Sequence, residues 1–338
     1  MERKFIVKIR GTLFGLRALK DRSLVSQQRD QMQSLSPVHL PKRPEPHCLG
    51  LGRFIRDSPM PGREFEKSIY TDLDPRDDYA GYLRLDLVLN AQEPRSNPTY
   101  HDEMLFIVQH QTSELWMKLV IHELKQAIEF IKSDDLSPCF KIIARVKQIQ
   151  RILFEQWAVL ETLTPTEFAK FRPVLGHASG LQSYQNRMIE FLLGNKDARS
   201  TQVFKHQAEI YDELQSLLNR PSIYDEFLRY LARHKHPIPK EVIDRDWSKP
   251  YECNSQVLAV FKRIYESPDS HWEAYEMAEK LVDVEEQYQL WRFRHIKTVE
   301  RIIGFKRGTG GSSGVGFLMK GLEIRLFPEL ADVRTEIG

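Results

Sequence analysis

Between His101 and Lys132 the chain reads HDEMLFIVQHQTSELWMKLVIHELKQAIEFIK, with no glycine, no proline and no strand-type alternation. An unbroken stretch in which apolar residues recur every three or four positions is a helix, and one so long must be covered by other helices. The rest of the body keeps this pattern. DDYAGYLRLDLVLNAQ (77–92) opens on Asp77 and Asp78, good capping residues, and stops before Pro94. SPCFKIIARVKQIQRILFEQWAVLETL follows the long run, then SGLQSYQNRMIEFLLG, with Gly194 as its C-cap. Further helices are expected at 201–219, 222–233, 253–266 and 271–304. No strand and no internal repeat is legible. The expected fold class is all-α, a multi-helix bundle with its sites between facing helices.

The first residues read differently. They are basic, are interrupted by Gly11 and Gly15, and lack the apolar stretch and cleavage site of a secretory signal. Pro37, Pro41, Pro44 and Pro46 crowd too closely for helix or sheet. The division expected is a basic, disordered tail over 1–63 and a helical domain over 64–338. An over-long gene model starting upstream of Met60 accounts for the tail better than a targeting segment does. Residues 1–59 hold twelve Lys/Arg against five Asp/Glu, which leaves the body at −5 although the whole chain is at +2. Binding by phosphate neutralisation wants a basic body, so nucleic acid is not an expected partner. No apolar run approaches the roughly 18 residues of a membrane-spanning helix. Cys48, Cys139 and Cys253 lie far apart with no C-x-x-C pair, which points to free thiols in a reducing cytoplasm.

Helical arithmetic sorts the histidines. On 101–132, Leu105, Val108, Thr112, Leu115, Trp116 and Leu119 share one stripe, the expected core face. Phe106, His110, Ser113 and Met117 fall on a second stripe, so the helix is either buried on two sides or lines a pocket with one of them, with His110 one turn from Phe106. Near the C-terminus, Leu281, Val284, Tyr288, Trp291, His295, Val299 and Ile302 share a stripe. His295 in its middle is either a satisfied core histidine or a neutral imidazole offered to a metal or haem iron behind a dry wall. Non-haem metal readings are weaker, because H-E-x-x-H and paired Glu-x-x-His motifs are absent. His101 with Asp102 and Glu103 reads as a polar helix start. His234 and His236 are expected to be solvated, no Ser/His/Asp order is legible, and Cys139 lacks the context of a catalytic thiol.

Two connecting segments carry chemistry. FKRGTGGSSGVGFL (305–318) is neither a P-loop nor a dinucleotide loop, since no Lys-Ser/Thr follows the glycines and no strand precedes them. It is a flexible linker or a segment whose amides and hydroxyls close over a polar ligand, and Lys306 and Arg307 favour an anionic one. In LTPTEFAKFRPVLGHASGLQS (163–183), Arg172 stands among Phe168, Phe171, Pro173 and Val174. An arginine in apolar company needs a partner, either a structural carboxylate or a bound one.

Together YAGYLRLD (79–86), HDEMLFIVQHQTSELWMKL (101–119), FRPVLGHASGLQS (171–183) and WRFRHIKTVERIIGFKRGTGGSSGVGFL (291–318) resemble the tryptophan 2,3-dioxygenase family, in its bacterial form, from about residue 64 to the end. The resemblance implies a haem-binding helical bundle of the tryptophan/indoleamine 2,3-dioxygenase type. It implies one haem b per subunit, ferrous when active, and insertion of O2 across the indole C2–C3 bond of L-tryptophan. The product would be N-formyl-L-kynurenine, in the first step of tryptophan catabolism by the kynurenine pathway. By the same resemblance His295 is the proximal iron ligand, and Trp157 and Ser179 line the haem pocket. His110 is the distal catalytic histidine that meets the indole N–H. Phe106, Ile107, Val108, Gln109 and Phe168 stand at substrate-contacting positions. Arg172 pairs with the substrate carboxylate, and Thr309 contacts its ammonium and carboxylate. Tyr79, Tyr82 and Leu83 complete the site of a neighbouring subunit in a homotetramer. Phe168 departs from the Tyr of many bacterial relatives, which removes a phenolic hydrogen bond near the carboxylate, and His177 stands where a Pro or small residue is expected. The competing readings are an indoleamine-type enzyme of broader specificity, disfavoured by Arg172 and the GTGGSSG loop, a non-catalytic haem sensor or carrier, and a helical scaffold with no cofactor.

Overall fold

The computed structural model describes residues 66–74 and 76–338, so the expected tail and Cys48 lie outside the described residues. Leu73–Gly338 make up one structural unit, helical throughout and without a strand among the described residues. Its helices are α1 (Tyr79–Leu83), α2 (Leu85–Val88), α3 (His101–Lys132), α4 (Leu136–Glu155), α5 (Trp157–Leu160), α6 (Pro165–Phe171), α7 (Tyr184–Leu193), α8 (Ala208–Leu218), α9 (Ile223–Arg233), α10 (Lys240–Ile243), α11 (Ser255–Glu266), α12 (Trp272–Ile303), α13 (Val315–Met319) and α14 (Pro328–Glu336). No helix among the described residues is long and apolar enough to cross a membrane.

The two 32-residue helices, α3 and α12, both pack along α4 in the most extensive helix–helix contacts among the described residues, and α7 and α9 cover α3 further on. Leu124, Ala127 and Ile131 of α3, Ile143 and Val146 of α4, and Leu281 and Val284 of α12 are all buried in one continuous core. Local chemistry sets the helix ends. Thr164 and Glu167 form a capping box around Pro165 at the start of α6, and Ser222 and Asp225 form another at α9. Gly194 ends α7 with φ 111°, as its position in the sequence predicts. At the start of α3 the Glu103 carboxylate accepts from the amides of Arg95 (2.7 Å) and Ser96 (3.0 Å) and from the Ser96 hydroxyl. At the other end of the chain, Glu329 of α14 accepts from the hydroxyls of Tyr224 (2.8 Å) and Tyr251 (2.7 Å) and from the amide of Asn254 (2.7 Å).

The structure corrects several expectations. The core face of α3 is the second stripe: Ser113 and Met117 are buried, followed by Val120, Ile121 and Leu124. The stripe expected to be core is half-open or exposed, with Val108 41%, Leu115 52% and Trp116 37% accessible. Periodicity reports that a face is apolar; it cannot say whether the same chain covers it. The helix expected over 77–92 breaks at Arg84, whose φ of 51° ends α1, and the one expected over 201–219 gives a 3-10 turn (Ala198–Phe204) before α8. His236 is half-buried, its ring 5.1 Å from that of His271, whereas His234 is exposed and stacks on Tyr230.

Candidate active site

One wall of the site is aromatic. On α3, Phe106 and His110 lie one turn apart with ring centroids at 4.1 Å. Phe168 and Phe171, one turn apart on α6, meet each other edge to face at 5.3 Å, and both lie within 5.8 Å of Phe106. The capping box that starts α6 and the packing of α6 on α3 and α12 aim this pair inward. The Nδ1–H of His110 donates to the carbonyl of Phe106 at 2.7 Å, which leaves Nε2 as an acceptor. Burial among these rings lowers the His110 pKa, with opposing upward pulls from the Phe106 carbonyl and the Glu114 charge, so the ring is neutral.

A second aromatic cluster is built on α12. His295 stacks on Trp157 of α5 at 4.7 Å with only 9° between the rings, and Trp291 adds a third ring 6.2 Å away. Burial takes the His295 pKa down to about 4, the neighbouring His110 adding a smaller push against a second protonated ring. Both imidazoles keep some accessible surface, yet desolvation dominates the titration of each. Trp157 is buried and its Nε1–H has no partner.

Two connecting segments close the mouth of the site. Gly304 ends α12 with φ 61° and releases the chain into the glycine-rich loop. That loop is strapped to the segment after α6 by two reciprocal bonds. Arg172 donates from Nη2 to the carbonyl of Arg307 at 2.6 Å, and the Thr309 hydroxyl donates to the carbonyl of Ala178. Gly314, with φ 65°, sits so near the chain that an added Cβ would lie 2.5 Å from the Lys306 carbonyl oxygen. A cavity of about 370 Å³ opens beside the strap, lined by Phe168, Arg172, Ile302, Lys306 and Thr309 among others. The Arg172 guanidinium has no ion-pair partner among the described residues, so the structural carboxylate considered from the sequence does not hold it.

The tryptophan 2,3-dioxygenase family model matches this chain over residues 71–221 and 218–337. The chain belongs to that family. A tryptophan 2,3-dioxygenase of Serratia proteamaculans is 63% identical over 279 residues, 82% of this chain and 100% of that protein. One from Myxococcus xanthus is 60% identical over 279 residues, covering 82% and 96%, and one from Xanthomonas campestris pv. campestris is 56% identical over 276 residues, covering 82% and 93%.

Of the residues singled out from the sequence, Phe106, His110 and Phe168 come together in one aromatic wall. Trp157 and His295 form the other, and Arg172 and Thr309 meet at the strap. An added Cβ at Gly310 would lie 2.6 Å from that of Ser179, which puts Ser179 against the same loop. Along α3 the contiguous stretch fans out. Ile107 is half-buried, Val108 faces outward, and Gln109 is buried with its Nε2 unpartnered. Tyr79, Tyr82 and Leu83 are exposed, at 76%, 82% and 40%. Phe171 completes the aromatic cluster and was not a sequence candidate. Its signal was the i, i+3 spacing from Phe168 on a capped seven-residue helix, which reads equally as core packing.

Proposed function

We propose that this chain is a haem-dependent dioxygenase that inserts O2 across the indole C2–C3 bond of L-tryptophan to give N-formyl-L-kynurenine. The reading is supported by two desolvated imidazoles, His110 and His295, each set in its own aromatic cluster, and by Arg172 and Thr309 lining one cavity with Phe168. The residues fit haem b. A desolvated imidazole with a pKa of about 4 is unprotonated at neutral pH, as a histidine that is to hold iron must be, and its ring direction is fixed by the Trp157 stack. His295 would hold the iron, with Trp157 and Ser179 beside the macrocycle. Haem bound there would supply the O2-activating chemistry, and the protein supplies binding and orientation.

The rest follows from this chain's side chains. His110 offers Nε2 to the indole N–H because its Nδ1 proton is already committed to Phe106. The Phe106, Phe168 and Phe171 rings exclude water and hold the indole in an apolar slot. Arg172 presents a planar fork to the substrate carboxylate, and binding competes with the Arg307 carbonyl for it. Thr309 contacts the amino-acid end. A site built around a buried polar anchor rejects analogues that lack the matching group, so indole amines without a carboxylate are poor substrates. Phe168 brings no phenolic hydroxyl, so the carboxylate is held by Arg172 and Thr309 without that bond.

We further propose a homotetramer in a cytoplasmic setting, with Tyr79, Tyr82 and Leu83 of one subunit completing a neighbour's site. The supporting observation is that these residues and the Val108, Leu115, Trp116 face of α3 are apolar and exposed among the described residues. The decisive experiment is anaerobic reduction of haem-loaded protein, then L-tryptophan and air, with His295→Ala alongside. Product from the parent, none from tryptamine, and loss of haem retention in the variant are expected. A Soret band without product would favour a sensor or carrier, and wild-type haem retention in His295→Ala would remove the axial assignment.

A further inference from the structure

Glu161 closes the turn after α5 and makes a set of contacts that the roles above do not use. Its carboxylate accepts both arms of Arg294, from Nε and Nη2, at 2.6 Å each. It also accepts the Thr298 hydroxyl at 3.0 Å, and its backbone carbonyl accepts Nε of Arg301 at 3.0 Å. One residue thus grips three successive turns of α12, at 294, 298 and 301, and the grip straddles His295. Trp157, one turn earlier on the same face, carries the ring stacked on His295. Thr298 is buried and bonds back to the Arg294 carbonyl at 2.9 Å, while the Arg294 guanidinium lies 5.4 Å from the Phe154 ring.

We propose that Glu161 is a positioning residue for His295, the histidine proposed to hold the haem iron. It fixes the rotation and register of α12 against the Trp157 turn, and so sets the plane in which His295 presents its nitrogen. The geometry favours this over a general stabilising role. A bidentate carboxylate–guanidinium pair tolerates little rotation, and the hydroxyl and backbone bonds add two more fixed points around the same helix. Turning α12 enough to tilt His295 breaks all four bonds together with the ring stack. The inference rests on the proposed haem reading of His295, and its test separates the two.

The variants are Glu161→Gln, which keeps the shape and loses the ion pair, and the milder Thr298→Val. Asp283→Asn is the control, because Asp283 makes a 2.7 Å ion pair with Lys147 that also ties α12 to α4, three turns from His295. Ferrous haem-loaded proteins are compared by the iron–histidine stretching band, by the rate of haem transfer to an excess of apomyoglobin, and by thermal midpoint. Partners that orient a ligand histidine change affinity by about 10- to 100-fold when removed. Glu161→Gln is therefore expected to speed haem loss by about tenfold and to shift the stretching band. Thr298→Val should do so more weakly, and Asp283→Asn should leave both readouts at the parent values whatever its thermal midpoint. A Glu161→Gln protein with the parent's band and haem-loss rate overturns the positioning role, as does a control that moves both equally. A parent protein without a histidine-ligated band refutes the haem reading itself.

Discussion

Replacing Gly310 by Ala asks how closely the glycine-rich loop must approach the segment after α6. A Cβ built on Gly310 lies 2.6 Å from the Ser179 Cβ and 2.8 Å from its Oγ. Carbon atoms in contact sit at about 3.5–4.0 Å, so the two backbones must separate by about 1 Å. The Ser179 hydroxyl can swing away, but its Cβ cannot move without the chain that carries it. That chain includes Ala178, whose carbonyl accepts from Thr309, the residue next to the substitution. The displacement therefore falls on the strap. Misplacing a positioning group by 1 Å costs about 100-fold in rate, or about 2.7 kcal/mol of transition-state stabilisation. The loop is exposed and contributes little to the core, so the thermal midpoint should stay within a few degrees. Steady-state kinetics with L-tryptophan, beside Gly321→Ala as a control with nothing within 4 Å of the added Cβ, decide the matter. We expect kcat/KM to fall about 100-fold in Gly310→Ala and to hold in the control. A Gly310→Ala enzyme within twofold of the parent would show that the strap does not place Thr309.

Arg172→Leu should raise KM for L-tryptophan by about 100-fold or more while the haem spectrum is kept; an unchanged KM would remove Arg172 from carboxylate binding. Leu115→Glu puts a charge on the uncovered face of α3 and is expected to lower the mass seen by analytical ultracentrifugation, whereas a full-size variant assembly would place the interface elsewhere. Acid should weaken the start of α3. Burial pushes the Glu103 carboxyl up, but the Ser96 hydroxyl and the Arg95 and Ser96 amides hold it, on balance, below its ordinary value of 4.5. A pKa lower in the folded state means stability present above that value and lost as pH falls through the folded one. Thermal midpoints measured from pH 6 to pH 3 should fall less steeply in Glu103→Gln, and parallel curves would exclude the contribution.

Much of this was legible from residue spacing, and the exceptions share a cause. The stripe carrying His295 is as periodicity places it, because α4 and α5 cover that face within the same chain. The two stripes of α3 were both found, but the one expected to be core is largely open among the described residues, and an apolar face looks the same in sequence whether or not the chain covers it. The break at Arg84 carries no glycine or proline, and a lone residue at φ 51° leaves no compositional trace. The strap was half visible. The glycines announced a loop of unusual freedom, but the bonds from Arg172 to Arg307 and from Thr309 to Ala178 span 135 and 131 residues, beyond any local pattern. Glu161 gave no signal at all, because one acidic residue in a helical turn is ordinarily solvated.

The three donors gathered by Glu329 bear on how the protein is made. Tyr224, Tyr251 and Asn254 leave the ribosome well before the acceptor that satisfies them, which arrives 105, 78 and 75 residues later respectively. During that interval a growing chain carries polar groups destined for the interior with nothing to bond to, beside the apolar groove that α14 will fill. Chains released before Glu329 would keep that groove open and those hydroxyls unpaired, so they should be the species that chaperones hold and proteases clear.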